Sequence, residues 1–185
     1  MKLCMIGTGY VGLVSGVCFS DAGNKVYCVD KDKKKIDLLN NGKIPIYEPG
    51  LEEILKKNYR QKRLIFTSDL KKAVDNSDII FICVGTPTKK NSNSAELKYV
   101  FNVARELKKI IKSYKVIITK STVPVTTGDK IENILSNLKK RKLVDVVSNP
   151  EFLREGDAIR DFTYPDRVVI GTDSSKANRV LKSLY

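Results

Sequence analysis

Histidine is absent from this 185-residue chain. Its absence excludes a Ser-His-Asp or Cys-His triad, a histidine-ligated metal and an imidazole acid–base catalyst. Cysteine is scarce, and Cys4, Cys18, Cys28 and Cys83 include no C-x-x-C pair. Three of the four lie within apolar, strand-like runs. The sequence therefore predicts buried, reduced thiols and neither a disulfide framework nor a metal site.

Long hydrophobic runs are also missing, and the stretch 79–84 is typical of those present. A membrane-spanning helix needs roughly 20 apolar residues, so none is predicted. The opening MKLCMIGTGYVG lacks the apolar core and the cleavage site of a signal peptide. With 42% apolar and 30% charged residues, we expect a soluble, cytoplasmic globular domain with no membrane partner.

Acidic residues are outnumbered, with 21 Asp+Glu against 34 Lys+Arg and a net charge of +13. Such a balance is found in proteins that bind nucleic acid. The cations are spread in small groups, however, without interleaved aromatics or a known nucleic-acid-binding motif. We predict a lysine-rich solvated surface and no nucleic-acid partner. The alternative is a non-catalytic nucleic-acid-binding module, whose DNA affinity would fall steeply with salt.

Apolar patterning predicts a regular alternation of strands and helices. Predicted strands lie at 2–6, 25–30, 64–67, 78–84, 116–119, 144–147 and 167–170, and predicted helices at 12–22, 32–41, 51–58, 68–76, 95–112, 126–139 and 174–185. Loops are expected at 43–49, 85–94 and 148–165. The unbroken apolar run 78–84 is typical of a central parallel strand covered on both faces. The fold class is therefore α/β, a doubly wound, Rossmann-like parallel sheet.

The first predicted strand leads into Gly7-Thr8-Gly9-Tyr10-Val11-Gly12, a G-x-G-x-x-G that opens a helix. Within one strand–helix–strand unit this string predicts a dinucleotide-binding turn. Gly7 permits the tight turn, Gly9 lets a pyrophosphate approach the backbone, and Gly12 lets helix and strand pack closely. The N-terminus of the helix then offers unpaired N–H groups to the phosphates.

Asp30 ends the second predicted strand, 18 residues after Gly12. A carboxylate at this place accepts hydrogen bonds from the hydroxyls of the adenosine ribose. It also repels a 2′-phosphate, so NAD is the predicted cofactor rather than NADP. A non-catalytic NAD-sensing module is the alternative to an enzyme.

Ligands of an open α/β sheet bind beyond the carboxyl ends of its strands. Three further segments follow predicted strands at that edge: 85–87, 120–124 and 148–155. They bring hydroxyls, a lysine and carboxylates together. For each segment alone, ordinary loop and helix-cap chemistry is an equal explanation, but three together after a dinucleotide motif favour an active edge.

The ordered motifs GTGYVG, VDKDKKKI, PIYEPGLEE, FICVGTPT, KSTVPVTTG, NPEFLREGDAIRDF and PDRVVIG resemble those of the nucleotide-sugar 6-dehydrogenases, the UDP-glucose/GDP-mannose dehydrogenase family. The resemblance runs from residue 1 to about residue 171, and NPEFLREG after KSTVP is its most specific part. The ending PDRVVIG favours UDP-glucose as substrate over GDP-mannose or UDP-N-acetylmannosamine, which remain the alternatives.

The resemblance implies oxidation of UDP-glucose to UDP-glucuronate with two NAD+, in nucleotide-sugar metabolism that feeds polysaccharide biosynthesis. A cysteine in this family carries the sugar as a thiohemiacetal and then as a thioester. Catalytic roles are implied for Thr122, which helps position a water or oxyanion, and for Glu151, the base in thioester hydrolysis, with Glu155 as the alternative base. The implied cofactor-binding residues are Gly7, Gly9, Tyr10, Val11, Gly12, Asp30, Lys35, Thr86, Thr122 and Glu155. The implied substrate-binding residues are Glu151, Phe152, Leu153, Arg154 and Glu155.

The chain departs from the family pattern in one large respect. The glycine-rich segment that holds the nucleophilic cysteine is absent, and so are the later lysine and asparagine of the site. We therefore expect residues 1–185 to be the NAD-binding domain with part of the substrate loop, without the central helix and the UDP-binding domain. Residues 174–185 are expected to begin a following helix. On this reading the chain binds NAD without turnover, and the family's homodimer or higher oligomer depends on the missing region.

Overall fold

The computed structural model describes residues 1–90, 92 and 94–185. The strands are β1 (Lys2–Ile6), β2 (Lys25–Val29), β3 (Leu64–Thr67), β4 (Ile79–Ile82), β5 (Lys115–Thr119) and β6 (Val144–Ser148). The helices are α1 (Tyr10–Asp21), α2 (Lys33–Asn40), α3 (Leu51–Arg60), α4 (Leu70–Asp75), α5 (Lys98–Ile110), α6 (Thr127–Ile134), α7 (Ser136–Lys140), α8 (Ala158–Thr163) and α9 (Ser175–Leu184). The alternation predicted from apolar patterning is confirmed.

The six strands form one parallel sheet in the order β3-β2-β1-β4-β5-β6. This order reverses direction between β1 and β4, and a crevice opens at such a switch point beyond the carboxyl ends of the strands. All the loops predicted to carry the site leave the sheet at this edge. The predicted doubly wound, Rossmann-like fold is confirmed.

Alternate residues of each strand enter two separate apolar clusters, one on each face of the sheet. In β1, Leu3 and Met5 join the cluster beneath α1, α3, α8 and α9, whereas Cys4 and Ile6 join the cluster beneath α4, α5 and α6. Both faces are thus covered, which explains why the strands read as continuous apolar runs. The resulting rigid sheet fixes the positions of the edge loops.

Three predictions about elements are wrong. Residues 167–170 form no strand: the described backbone there makes a single antiparallel bridge, Ser148 to Gly171, beside the edge strand β6. The predicted helix 126–139 is two helices, α6 and α7, broken at Leu135. The predicted loop 148–165 contains α8, which begins directly after Gly156 and Asp157.

The predicted polar loop 85–94 includes Asn91 and Asn93, which lie outside the described residues. The other predicted elements agree with the observed ones to within three residues at each end. Among the described residues, no helix has both the length and the apolar character needed to cross a membrane.

Candidate dinucleotide site and substrate loop

The turn after β1 is built so that only glycine fits at its first position. Gly7 has a φ of +102°, and its amide donates to the Val29 carbonyl at 2.8 Å. A Cβ placed on Gly7 would lie 2.8 Å from the carbonyl oxygen of Cys83. Side chains rarely adopt this backbone conformation, so glycine is required by both conformation and space.

Two further glycines bring α1 against the sheet. A Cβ on Gly12 would lie 1.9 Å from the Gly7 carbonyl oxygen, and one on Gly16 would lie 2.6 Å from the Cys28 sulfur. The start of α1 is therefore held directly over the turn, as predicted for Gly12. Helix and sheet therefore approach more closely than a side chain at either glycine would allow.

Gly9 differs from its neighbours because the space in front of it is open. It is the N-cap of α1, and a Cβ there would meet no described atom within 4 Å. Within the described chain, no side chain caps this helix and no acidic residue lies in its first turn. Amide N–H groups beginning at Tyr10 and Val11 thus face an open, positively polarised space, an arrangement that fits a pyrophosphate.

Asp30 stands one residue beyond β2, next to the same turn. Its Oδ2 accepts from the amide and hydroxyl of Thr8, at 2.9 and 2.7 Å, and from Lys35 Nζ at 3.2 Å. Its Oδ1 accepts from the amide of Asp32. Partial burial works to raise the pKa of Asp30, yet these hydrogen bonds outweigh it and hold the pKa below its usual value. Asp30 is therefore a fixed carboxylate at neutral pH.

The loops after β4 and β5 are joined to each other at the carboxyl edge. The Thr86 hydroxyl donates to the Thr122 carbonyl at 3.1 Å, and the Ser121 hydroxyl donates to the Val84 carbonyl at 2.7 Å. The structure thus brings Thr86 and Thr122 together, with Thr122 exposed. Thr126 is the N-cap residue of α6 at a φ of +73°, and the Thr127 hydroxyl donates to the Pro124 carbonyl.

Lys120 is buried rather than being a solvated cation at the edge of the sheet. Only 4% of the residue is exposed, and its Nζ lies 3.0 Å from the Tyr185 hydroxyl and 3.3 Å from Asn149 Oδ1. Tyr185 also donates to Asn149 Oδ1 at 2.7 Å. Burial lowers the pKa of Lys120 to about 8, although the nearby Glu151 carboxylate acts in the opposite direction.

Replacing Lys120 by methionine is expected to remove a pH-dependent part of the stability. An unfolded lysine holds its proton up to about pH 10.4, whereas folded Lys120 releases it near pH 8. The wild type should therefore gain stability between those pH values, by up to about 3 kcal/mol relative to Lys120→Met. Urea unfolding of both proteins at several pH values measures this difference.

The exposed Lys140→Met variant is the control for loss of one amino group. If wild type and Lys120→Met keep a constant difference in unfolding free energy from pH 7 to pH 10, burial does not perturb Lys120.

The predicted substrate loop 151–155 follows β6 and has an ordered internal structure. Glu151 Oε2 accepts from the amide of Leu153 at 2.6 Å. The Arg154 guanidinium contacts Asp157 at 2.9 Å and Asp161 at 2.6 Å, and its hydrogen bonds lower the pKa of Asp161 to about 2. These contacts fold the loop back onto the start of α8.

A cavity of about 750 Å³ lies between this loop and the sheet edge, and its lining includes Lys120, Asn149, Glu151 and Arg154. Phe152 and Glu155 are exposed on the loop. Cations, carboxylates and an amide therefore converge on one polar cavity between the substrate loop and the loops that follow β5 and β6.

All four cysteines are buried and free. Burial raises the pKa of Cys4 and Cys28, and it raises the pKa of Cys18 and of Cys83 to about 12. A thiol with such a pKa is protonated at neutral pH and is a poor nucleophile.

Glu48 is a site residue that the sequence reasoning missed. It lies in the loop before α3, is 4% exposed, and contacts the Tyr10 hydroxyl and the amide of Gly156. Glu48 belongs to the motif PIYEPGLEE, but a carboxylate between Tyr and Pro in a loop is typical of a solvated residue. Its partners lie 38 and 108 residues away along the chain.

Comparison with known proteins agrees with this geometry. The profile of the UDP-glucose/GDP-mannose dehydrogenase family, NAD binding domain, matches residues 1–185. A UDP-glucose 6-dehydrogenase of Rhizobium meliloti is 54% identical over the whole chain, which covers 43% of that protein. One from Bacillus subtilis is 51% identical, with 40% of its length covered. The chain thus spans less than half the length of these curated relatives.

Solved structures show the same likeness. A ternary complex of GDP-mannose dehydrogenase from Pseudomonas aeruginosa superposes with a TM-score of 0.94 at 40% identity, covering all of this chain and 44% of that one. A UDP-glucose dehydrogenase from Pyrobaculum islandicum superposes with a TM-score of 0.93 at 38% identity. The match covers 99% of this chain and 43% of that one. The dinucleotide turn, the edge loops and the substrate loop lie within the superposed part.

Proposed function

Because the chain belongs to the UDP-glucose/GDP-mannose dehydrogenase family and is its NAD-binding domain, we propose that it serves an enzyme that oxidises UDP-glucose to UDP-glucuronate. Converting the C6 alcohol to a carboxylate removes two hydride equivalents and consumes one water, so each product requires two NAD+. The observation that carries the proposal is the open, uncapped N-terminus of α1 beside the fixed carboxylate of Asp30.

NAD+, when bound, supplies the hydride acceptor; the residues of the chain bind and orient it. Gly7 and Gly12 hold the start of α1 over the turn, and Gly9, Tyr10 and Val11 present open space and amide N–H groups to the pyrophosphate. Asp30, steadied by Thr8 and Lys35, accepts from the ribose hydroxyls. Thr86 and Thr122, joined by a hydrogen bond, line the nicotinamide half of the cleft, and Glu155 reaches it from the substrate loop.

Glu151 is the proposed base of the hydrolytic step. Its carboxylate is partly buried at the cavity, where it is oriented by the Leu153 amide. A carboxylate there can take the proton that water loses as it attacks a thioester. Phe152, Leu153 and Arg154 shape the rest of the substrate loop, and Thr122 helps to position the water or the oxyanion.

The nucleophile is proposed to lie outside residues 1–185, because the four thiols of the chain are buried and have raised pKa values. The UDP-binding groups and the subunit contacts are likewise assigned to further domains. The 185-residue chain is then expected to bind NAD+ and to form no NADH from UDP-glucose. Sustained UDP-glucose-dependent NADH formation by this chain would contradict the assignment.

Replacing Asp30 by asparagine is expected to weaken NAD+ binding about tenfold, because two hydroxyl–carboxylate hydrogen bonds lose their charge. The same change should raise the affinity for NADP+ relative to NAD+, since the carboxylate no longer repels a 2′-phosphate. Isothermal titration of both proteins with both cofactors measures the two effects.

The matched control is Asp32→Asn, which removes a neighbouring carboxylate but keeps a good N-cap for α2. It should leave cofactor preference unchanged. Equal affinity of the wild type for NADP+ and NAD+ would defeat the role given to Asp30.

The substrate is tested on the product of the whole open reading frame that encodes the chain. NADH formation is followed with UDP-glucose, GDP-mannose and UDP-N-acetylmannosamine. Preference for UDP-glucose is expected, since the relatives at 54% and 51% identity carry that name. Preference for GDP-mannose would contradict the proposed substrate and would make the enzyme a GDP-mannose dehydrogenase of the same family.

A further inference from the structure

Glu48 is a buried carboxylate that contacts two parts of the molecule far apart in sequence. One part is the Tyr10 hydroxyl, at the start of α1 in the dinucleotide turn. The other is the backbone at the start of α8, where the amides of Gly156, Ala158 and Ile159 point at the carboxylate from 2.9, 2.9 and 3.4 Å. Glu48 therefore bridges the dinucleotide turn and the segment that directly follows the substrate loop.

The Tyr10 hydroxyl reinforces the bridge. It lies 3.3 Å from the Arg154 carbonyl and accepts from the amide of Gly156 at 3.2 Å. Partial burial and the neighbouring Glu48 raise the pKa of Tyr10, so the hydroxyl stays protonated. Glu155 lies between Arg154 and Gly156, the two residues held in this way.

We propose that Glu48 is a positioning residue that fixes residues 154–158 to the dinucleotide turn and so places Glu155 at the nicotinamide half of bound NAD. The inference rests on the proposed function, in which NAD lies on the turn at 7–12 and Glu155 faces the nicotinamide. Glu48 itself touches neither cofactor nor substrate; it acts through the loop.

The contacts of the loop indicate what happens without Glu48. Arg154 ties the loop to Asp157 and Asp161, so its internal shape does not depend on Glu48. Phe162 of α8 packs edge-on against Phe19 of α1 at 4.8 Å, which holds the body of that helix in place. The segment that loses its attachment is therefore 154–158, where the amides of Gly156 and Ala158 would be left without their carboxylate acceptor.

The test compares NAD+ with ADP, which carries the adenosine and both phosphates but lacks the nicotinamide riboside. Both are titrated calorimetrically into wild type and Glu48→Gln. Glutamine keeps one carbonyl oxygen for Ala158 and Ile159 but turns an NH₂ group toward the amide of Gly156. We expect ADP affinity within twofold of wild type and NAD+ affinity reduced about tenfold.

Tyr10→Phe is the second variant, because it keeps Glu48 on the α8 amides and removes only the link to the turn. It should lower the ratio of NAD+ to ADP affinity about threefold. Because the Glu48 carboxylate stays in place, its hydrogen bonds to the Gly156 and Ala158 amides are kept. Glu53→Gln, an exposed glutamate at the start of α3, is the matched control and should change neither affinity.

A ratio of NAD+ to ADP affinity that stays at the wild-type value in both variants would overturn the inference, whether the two affinities fall together or not at all. A common fall would mean that Glu48 is only structural. If the wild type binds neither NAD+ nor ADP, the proposed function fails and the inference fails with it. If the wild type binds both ligands and the ratio of NAD+ to ADP affinity is unchanged in both variants, the inference is overturned but the proposed function stands.

Discussion

Replacing Gly12 by alanine is expected to lower the free energy of unfolding by about 3 kcal/mol or more, at the upper end of overpacking effects. The added Cβ would lie 1.9 Å from the Gly7 carbonyl oxygen and 3.0 Å from the Cys83 Cβ. Gly7 is held in place, because its amide donates to the Val29 carbonyl and the space beside it is filled by the Cys83 backbone, 2.8 Å from where a Cβ of residue 7 would lie. The higher helix propensity of alanine relative to glycine offsets only about 1 kcal/mol of this loss in unfolding free energy.

The comparison variant is Gly16→Ala, one turn further along α1. Its Cβ would meet the Cys28 sulfur at 2.6 Å and the Met5 Cγ at 3.2 Å. Both obstacles are side-chain atoms that can shift, so a loss of about 1 to 2 kcal/mol is expected. Urea unfolding at constant m-value gives both numbers. A loss for Gly12→Ala no greater than that for Gly16→Ala would show that the turn is free to adjust.

The sheet was predictable because its signals are local. Both faces of a strand such as β4 pack into apolar clusters, so its sequence is an unbroken apolar run. Helices α2 and α4 are capped by residues directly before them, Asp32 and Asp69. The glycine turn was predictable for the same reason: Gly7, Gly9 and Gly12 lie within six residues of one another. Periodicity and steric requirements over such short distances determine the local structure.

The errors arise where a partner outside the local sequence decides the structure. The β-branched run in 167–170 has strand propensity, but only Gly171 pairs with the edge strand β6, and the Val169 carbonyl accepts from the Asn149 side chain instead. Strand propensity measures how well a residue suits a pleated surface, and here the ladder of hydrogen bonds is missing.

Two site features depend on contacts that no local pattern contains. The burial of Lys120 involves Tyr185, 65 residues later, and the contact of Glu48 with Gly156 spans 108 residues. Sequence alone places the lysine in an edge loop and the glutamate in the loop 43–49, and nothing local indicates that either is buried. The fold instead buries both and satisfies them with hydrogen bonds, which is what a buried charged group requires.

Replacing Gly9 by valine is expected to weaken NAD+ binding at least 100-fold, about 2.7 kcal/mol, while leaving the domain folded. The backbone at Gly9 is extended, with φ −69° and ψ −170°, which valine adopts readily. Apart from its chain neighbours, no described atom lies within 4 Å of the added Cβ, so the main stability loss is the poorer helix cap, about 1 kcal/mol. The side chain would instead fill the open space in front of the α1 amides, where the proposed function places the pyrophosphate.

Gly9→Ser separates the two effects of that substitution. Serine is a good N-cap, so stability should equal that of wild type, whereas its Cβ and hydroxyl still crowd the phosphates and should weaken NAD+ binding about tenfold. Calorimetric titration with NAD+, paired with urea unfolding, measures both quantities for both variants. Wild-type NAD+ affinity in Gly9→Val would mean that the pyrophosphate does not lie on this turn. In Gly9→Val we expect NAD+ binding to be lost and stability to be retained, whereas in Gly12→Ala we expect stability to be lost. These outcomes would assign Gly9 to the ligand and Gly12 to the fold.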